Sequence, residues 1–251
     1  MKSCYNAVLV LLLFTSCAKE KPFVFAEKVF SEKDFGTCKD KNCPTINIHY
    51  LEATQQDEKA RTINLQISRT IIDMILSYQE DTSGVLSVDS AIEYFIKDFQ
   101  QHEEDFGTNF FSHDADTYMQ VVYQSEELIS MDLNFYFFTG GAHGYGGTLF
   151  LNFDAKTGIL LSPANLFNNI KSITKIAEEK IREQYQIPKG QNINATGFWF
   201  KDDRFHLPEN IGFTETDIIL LYNAYEIASY AEGTISVTIP KEEIIELLIF
   251  K

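Results

Sequence analysis

A run of glycines around one histidine is the densest group of chemistry-bearing residues in the chain. Five of the 13 glycines fall within residues 140–147 (GGAHGYGG), between two apolar segments. Glycine adopts positive φ angles and lets other groups approach the backbone, so the run suits a chain reversal between strands. It suits a ligand-binding loop equally well. In such a loop the exposed amides would donate hydrogen bonds, His143 would be the polar group and Tyr145 would stack on the ligand. The candidate ligand-binding residues are Gly140, Gly141, Ala142, His143, Gly144 and Tyr145.

Phosphate binding and serine hydrolysis are not favoured by the motifs present. The glycine run lacks Gly-x-Gly-x-x-Gly before a helix and also Gly-Lys-Ser/Thr, so it offers no helix N-terminus for a phosphate. No Gly-x-Ser-x-Gly occurs in the chain, which removes one common placement of a nucleophilic serine. We therefore predict no catalytic residues and no cofactor. The rival hypothesis is an enzyme acting on envelope carbohydrate, with His143 and a carboxylate as acid and base.

A second group of polar residues surrounds His113. Residues 112–116 (SHDAD) follow the acidic stretch 103–105 (EED), and together they offer oxygen and nitrogen ligands for calcium or a transition metal. The spacing of an EF-hand is absent. A solvated acidic loop is the simpler interpretation, so we assign no metal site.

Composition and charge describe a folded, acidic protein. The chain has 251 residues, 45% of them hydrophobic and 23% charged, which is enough to bury a large core. Its net charge of −15 repels phosphate backbones, whose binding depends on basic residues. We therefore expect no nucleic-acid partner.

The first 17 residues predict export and a lipid anchor. The apolar run 7–14 (AVLVLLLF) is shorter than the roughly 20 residues that a membrane-spanning helix needs, and it is typical of a signal peptide. Residues 14–17 (FTSC) resemble a bacterial lipobox, in which Cys17 is acylated, although Phe14 replaces the usual leucine. A plain secretory peptide is the alternative. We expect a lipoprotein of the cell envelope, held by lipid on the outer membrane or facing the periplasm.

The remaining cysteines then lie in an exported chain. Cys4 would leave with the signal peptide, so Cys38 and Cys43 remain, five positions apart. An oxidising compartment favours a local disulfide between them. Free thiols are the main alternative, and a zinc site is weak because no second cysteine pair or nearby histidine pair is present.

Helices and strands occur in segregated blocks that position these groups. Apolar spacing predicts a strand at 46–50, then a helix from Asp57 to about Tyr78 and a second helix capped by Asp89 or Ser90. A period of two then predicts an antiparallel meander. Its strands are residues 118–123, 128–138 and 148–153.

The rest of the chain continues the pattern. A helix carries Ile173, Ile176, Ala177 and Ile181 on one face, two closing strands cover 217–222 and 234–239, and Pro240 starts a C-terminal helix. The aromatic triplet 198–200 (FWF) is predicted to be core, with a sugar-stacking role for Trp199 as the alternative. Segregated blocks of this kind indicate an α+β fold: an antiparallel sheet with helices packed on one face.

Several of these segments resemble an extracytoplasmic bacterial domain of unknown function. Residues 135–144 (FYFFTGGAHG) with 151–158 (LNFDAKTG) look like its signature, and residues 222–233 (YNAYEIASYAEG) running into 237–240 look like its closing motif. The domain occurs in RsiV-type lysozyme-sensing anti-sigma factors and beside the catalytic domain of PdaC-type peptidoglycan deacetylases. The resemblance covers roughly residues 45–251, and the segment from Ile46 to about Ile75 is similar to the companion domain that precedes it in those proteins.

The resemblance implies an ectodomain that binds a ligand and does not catalyse. The expected partner is lysozyme or a cell-wall glycan of the peptidoglycan type. We recognise no spanning helix and no deacetylase module, so neither sigma-factor control nor deacetylation carries over. The predicted organisation is a lipoprotein signal peptide (1–16), an anchor and tether (17–44), a companion region (45–115) and a C-terminal α+β domain with the glycine motif (116–251).

Overall fold

The computed structural model describes residues 21–39, 41–79, 84–107 and 112–250. The predicted signal peptide 1–16 and the predicted lipidation site Cys17 lie outside these residues. Within the described ranges, no helix has both the length and the apolar character needed to cross a membrane.

Five strands form the first sheet, in their order along the chain. The pairs are antiparallel except the second and third strands, which run parallel from Thr45 opposite Asp114 to Ile48 opposite Thr117. A parallel pair needs a long crossover, and two helices provide it. The strands are β1 (Phe25–Ser31), β2 (Thr45–Ala53), β3 (Asp114–Gln124), β4 (Leu128–Phe138) and β5 (Tyr145–Asp154).

The two crossover helices are α1 (Glu58–Ile75) and α2 (Val88–Phe106). The Asp57 side chain caps α1 by accepting from the Ala60 amide at 2.8 Å. Ser87 caps α2, two or three residues before the predicted caps Asp89 and Ser90. The apolar positions that recur at helical spacing are buried in both helices, among them Ile63, Ile67 and Ile71 of α1 and Ile92, Phe95 and Phe99 of α2.

A second, smaller sheet follows and packs beside the first. It contains β6 (Asn210–Phe213), β7 (Asp217–Tyr222) and β8 (Ile235–Pro240), all antiparallel. Helix α3 (Ile170–Gln184) lies against β8, and the short α4 (Lys241–Ile244) follows it, with Pro240 before its first turn. The α+β class is confirmed, with two sheets where the sequence predicted one.

The elements of the structure do not follow two of the predicted boundaries. Within the predicted anchor and tether (17–44), residues Phe25–Ser31 form β1, which pairs with β2 over its whole length, and Phe30 stacks on Tyr50 with 6.2 Å between ring centroids. The division between 115 and 116 falls inside β3, whose core-facing residues pack with the helices of the supposed companion region. The boundary between the two hydrophobic cores lies further along the chain. The first core is built from buried residues between Phe35 and Ala155, and the second from Leu128 and buried residues between Leu166 and Leu248.

Asparagine side chains join the two sheets along the edge of β5. Asn210 accepts from the Phe150 amide at 2.7 Å and donates to the Thr148 carbonyl at 2.6 Å. Asn223 accepts from the Thr148 amide at 3.0 Å and donates to its carbonyl at 2.9 Å. These bonds satisfy backbone groups that an edge strand leaves unpaired. They also hold the segment after β7 against the start of β5, where the glycine run lies.

Cys38 and Cys43 form a disulfide. The bridge closes a turn that lies against α2, where the Gln100 side chain donates to the Thr37 carbonyl at 3.3 Å and the Asn42 carbonyl at 3.4 Å. The turn therefore connects β1 to β2 across the end of the first core.

Candidate ligand-binding site

The glycine run does reverse the chain between β4 and β5. Gly140 and Gly141 adopt φ angles of 98° and 97°, a region that disfavours residues with a Cβ atom. Residues Phe137 and Tyr145 face each other across the first pair of the hairpin. Ala142 and Gly141 are exposed at its tip.

Other glycines of the run make room for side chains. A Cβ on Gly144 would overlap the ring of Tyr136, and a Cβ on Gly147 would overlap the side-chain oxygen of Asn223. Asn223 is held in place by its bonds to the β5 backbone, and Tyr136 lies in β4 opposite Gly146. The density of glycines therefore has a packing reason in addition to the turn.

Replacing Gly147 by alanine is expected to lower the free energy of unfolding by about 2 kcal/mol. The new methyl group displaces Asn223 from the Thr148 amide, so the change combines overpacking with a lost hydrogen bond. Urea unfolding followed by circular dichroism measures it. Gly36→Ala is the control, because a Cβ at Gly36 meets nothing within 4 Å and its φ is not positive. Equal midpoints for the two variants would contradict the packing role.

His143 lies on a surface made by two distant tyrosines. Its ring stacks on Tyr230 with 4.3 Å between centroids and 23° between planes, and Tyr225 lies nearly parallel at 6.4 Å. The Nδ1–H donates to the Gly144 carbonyl at 3.0 Å, which leaves Nε2 to accept from the Tyr225 hydroxyl at 3.4 Å. The Tyr230 hydroxyl also reaches the Gly144 carbonyl at 3.4 Å. We call His143, Tyr225 and Tyr230 the aromatic face.

The backbone that presents Tyr225 is unusual. Tyr225 adopts a φ of 72°, which is costly for a residue with a bulky side chain, yet its side chain is 51% exposed. Tyr230 is 40% exposed. The segment after β7 thus holds two large rings in solvent at a conformational cost, and packing does not require that exposure.

Trp199 extends toward the same segment. Its indole Nε1–H donates to the Glu226 carbonyl at 3.2 Å, and its amide donates to the Ile227 carbonyl at 2.9 Å. Phe198 and Phe200 are buried, whereas Trp199 is 47% exposed. The prediction that the whole triplet is core is therefore wrong for Trp199.

A groove opens on the other side of the hairpin. It has a volume of about 510 Å³ and runs between the C-terminal half of α1 and the sheet. Tyr145 is 41% exposed and lies in this groove, 5.8 Å from the ring of Phe135, while His143 lies at its rim. Two larger clefts, of about 760 and 750 Å³, include no residue of the glycine run. The apolar part of the groove lining is Met74, Phe135, Phe137, Phe138 and Leu149.

Glu226 follows Tyr225 of the aromatic face directly in the chain. Partial burial raises the pKa of its carboxyl group, and hydrogen bonds from Asn223 oppose the shift. Burial also raises the pKa of Tyr145, and the charge of Glu226 adds to that effect. Among the described residues, no carboxylate hydrogen-bonds or ion-pairs with His143. The arrangement can stack against a flat apolar ligand surface and exchange hydrogen bonds with hydroxyl or amide groups.

The structure brings some predicted residues together and separates others. His143 and Gly144 belong to the aromatic face, Gly140 and Tyr145 line the groove, and Gly141 and Ala142 form the exposed tip between them. Tyr145, predicted as a ring that stacks on a ligand, is 41% exposed and lies in the groove. Sequence reasoning missed Tyr225 and Tyr230 as site residues, although the concentration of tyrosines in 222–230 was a usable signal.

Comparisons with known proteins divide the chain into two regions. Residues 37–145 match the family described as "Deacetylase PdaC", and residues 160–242 match the family described as "Protein of unknown function (DUF3298)". No curated protein matches. A crystal structure of a DUF3298 family member from Bacteroides fragilis superposes with a TM-score of 0.67 at 18% identity, covering 90% of this chain and 93% of that one. A DUF3298 family protein from Pseudomonas aeruginosa gives 0.58 at 19%, covering 92% and 95%.

Proposed function

We propose that this chain, which combines a PdaC-like region with a DUF3298-like region in one RsiV/PdaC-like domain of unknown function, is an extracytoplasmic binding protein of the cell envelope. Its ligand is a peptidoglycan-type glycan, held without catalysis at the aromatic face. The exposed stack of His143, Tyr225 and Tyr230 is the observation that carries this proposal.

Stacked rings that face solvent suit a sugar. The C–H groups on one face of a pyranose ring pack against an aromatic ring, whose electron-rich face attracts them, and this contact needs the ring to be accessible. Tyrosine adds a hydroxyl that bonds sugar hydroxyl and acetamido groups. The strained backbone at Tyr225 fixes such a surface before the ligand arrives, so less conformational entropy is lost on binding.

The absence of a carboxylate partner on His143 among the described residues favours recognition over acid–base chemistry. In the carbohydrate-active alternative, His143 would work with an acid, whereas here its two ring nitrogens bond a carbonyl and a tyrosine hydroxyl. A histidine held in this way is oriented for stacking and hydrogen bonding.

Lysozyme is the second candidate ligand, because the chain is strongly acidic. With a net charge of −15, the protein attracts basic proteins over long range and speeds their association at low salt. The resemblance to the lysozyme-sensing anti-sigma factors points the same way. Charge alone speeds the approach of a basic protein and does not specify a binding surface. The aromatic face suits a sugar, so the glycan is the leading candidate ligand.

Binding measurements with a glycan and with a lysozyme distinguish between the two candidate ligands. We expect the purified protein to bind soluble N-acetylglucosamine oligomers and isolated peptidoglycan, measured by calorimetry and co-sedimentation, with affinity that changes little between low and moderate salt. Binding to a basic lysozyme with strong salt dependence and loss of muramidase activity would replace the glycan by lysozyme. Failure to bind either probe at tens of micromolar would contradict the proposed function.

We also propose that Cys17 carries the lipid that holds the protein on a membrane. The lipobox-like residues 14–17 support this step. Acyl chains contribute roughly 0.8 kcal/mol per buried CH₂, so two or three chains would hold the protein without a spanning helix. Growth with a palmitate analogue should label the wild-type chain and leave Cys17→Ser unlabelled; labelling of both would contradict the assignment.

A further inference from the structure

Three potential metal ligands meet between α2 and β3, far along the chain from the glycine run. Asp98 and His102 lie four residues apart on α2, and His113 immediately precedes β3. The Asp98 Oδ2 atom is 3.5 Å from His102 Nδ1 and 3.7 Å from His113 Nε2. One ligand atom from each side chain lies within 4.8 Å of the other two.

His113 is a buried polar side chain. It is 1% exposed, packed against the rings of Phe95 and Phe99 at 5.5 and 5.3 Å. In the part of the chain that the structure describes, neither of its ring nitrogens has a hydrogen-bond partner. Burying polar nitrogens without partners costs free energy, so such groups are normally satisfied.

A hydrogen bond with Asp98 does not account for this arrangement. The 3.7 Å separation from Asp98 is too long for a hydrogen bond. A buried imidazole nitrogen that has no hydrogen-bond partner and faces a carboxylate oxygen and a second imidazole is placed as a metal ligand is.

We propose that Asp98, His102 and His113 bind one Zn²⁺ ion. With zinc–ligand bonds of about 2.0–2.1 Å, tetrahedral geometry places ligand atoms roughly 3.4 Å apart, close to the two distances observed. Two imidazoles and one carboxylate suit zinc, whereas calcium prefers oxygen ligands throughout. Three protein ligands leave a fourth position for water.

A metal here would connect two consecutive elements of the first core. It would join the C-terminal half of α2 to the start of β3, where the Thr45 amide already bonds the His113 carbonyl at 2.9 Å. The ion would satisfy a buried nitrogen of His113 and fix the crossover between the parallel strands β2 and β3. This role is independent of the aromatic face and of the proposed glycan ligand.

The test uses the purified protein freed of metal by a chelator. Calorimetry with Zn²⁺ should give one site per chain, and Co²⁺ should give the visible absorption of a tetrahedral complex. Asp98→Asn and His102→Gln alter partly exposed side chains, and each should weaken zinc binding roughly 100-fold or more. The control His49→Gln should bind as the wild type does, because His49 lies on β2 and bonds Glu27 and Asn47.

Stability gives a second readout. Zinc at a hundred times its dissociation constant should raise the midpoint of urea unfolding of the wild type and of His49→Gln, and leave Asp98→Asn unchanged. His113→Gln should also lose binding, and its unfolding curve shows whether it is folded. No binding at 100 micromolar zinc, or equal binding in wild type, Asp98→Asn and His102→Gln, would overturn the proposal.

Discussion

Replacing Asn210 by alanine should lower the free energy of unfolding by about 3 kcal/mol. The side chain is 5% exposed and bonds two backbone groups of β5, the Phe150 amide at 2.7 Å and the Thr148 carbonyl at 2.6 Å. Alanine leaves the Phe150 amide without this partner between the sheets, and an unsatisfied buried group costs about 1–3 kcal/mol. Loss of packing between β5 and β6 adds to that cost.

Asn134→Ala is the matched control for this experiment. Asn134 lies in β4 beside the same strand, but it is exposed and its side-chain oxygen accepts a bond from the Thr148 hydroxyl, at 2.8 Å, and not from a backbone amide of β5 among the described residues. We expect Asn134→Ala to lower the free energy of unfolding by less than about 1 kcal/mol. Urea unfolding of both variants, followed by tryptophan fluorescence and circular dichroism, measures the difference. Similar losses for the two variants would show that the bonds of Asn210 do not hold the sheets together.

The bonds that Asn210 and Asn223 make between the sheets could not be predicted from the sequence, whereas most helices and strands could. Hydrophobic periods predicted α1, α2, α3 and the meander, because each pattern depends on neighbours within a few residues. A bond between Asn210 and Phe150 joins residues 60 positions apart, and nothing in either local segment encodes it. The four-residue β6 is too short to display a period at all.

The first strand was missed for a related reason. Residues of β1 are mostly exposed, so its sequence lacks the apolar alternation of a half-buried strand. It forms because β2 offers an edge for hydrogen bonds, and it pairs over seven residues. The parallel register of β2 with β3 likewise depends on how two helices cross the sheet, which only the assembled core determines.

Only part of the candidate site could be proposed from the sequence. The glycine run identified His143 because glycine density is a local signal, whereas the rings that complete the aromatic face come from Tyr225 and Tyr230, more than 80 residues later. For His113, sequence reasoning looked to the acidic residues beside it in the chain. The structure places it against Asp98 and His102, whose spacing of four on a predicted helix puts both on one face.

Tyr230→Ala should weaken glycan binding about 10-fold or more and leave stability nearly unchanged. The ring supplies the stacking surface of the aromatic face, at 4.3 Å from His143 and 40% exposed. A tenfold loss corresponds to about 1.4 kcal/mol, within the range of a lost aromatic contact with its buried area. Tyr230→Phe keeps the ring and loses only the bond to the Gly144 carbonyl, so it should retain most of the affinity.

His143→Ala then separates three accounts of the same loop. A binding protein loses affinity for the glycan while the ligand remains uncut, as mass spectrometry of the incubated oligosaccharide would show. An enzyme shows cleavage or deacetylation in the wild type that the variant abolishes, which would contradict the proposed function. A loop that only closes a hairpin changes the unfolding midpoint and leaves the affinity for the glycan unchanged.

Tyr118→Ala is the control for all three accounts, because Tyr118 is 49% exposed on β3 and touches neither the groove nor the aromatic face. Its binding should equal that of the wild type, so a loss confined to His143 and Tyr230 would assign recognition to the aromatic face.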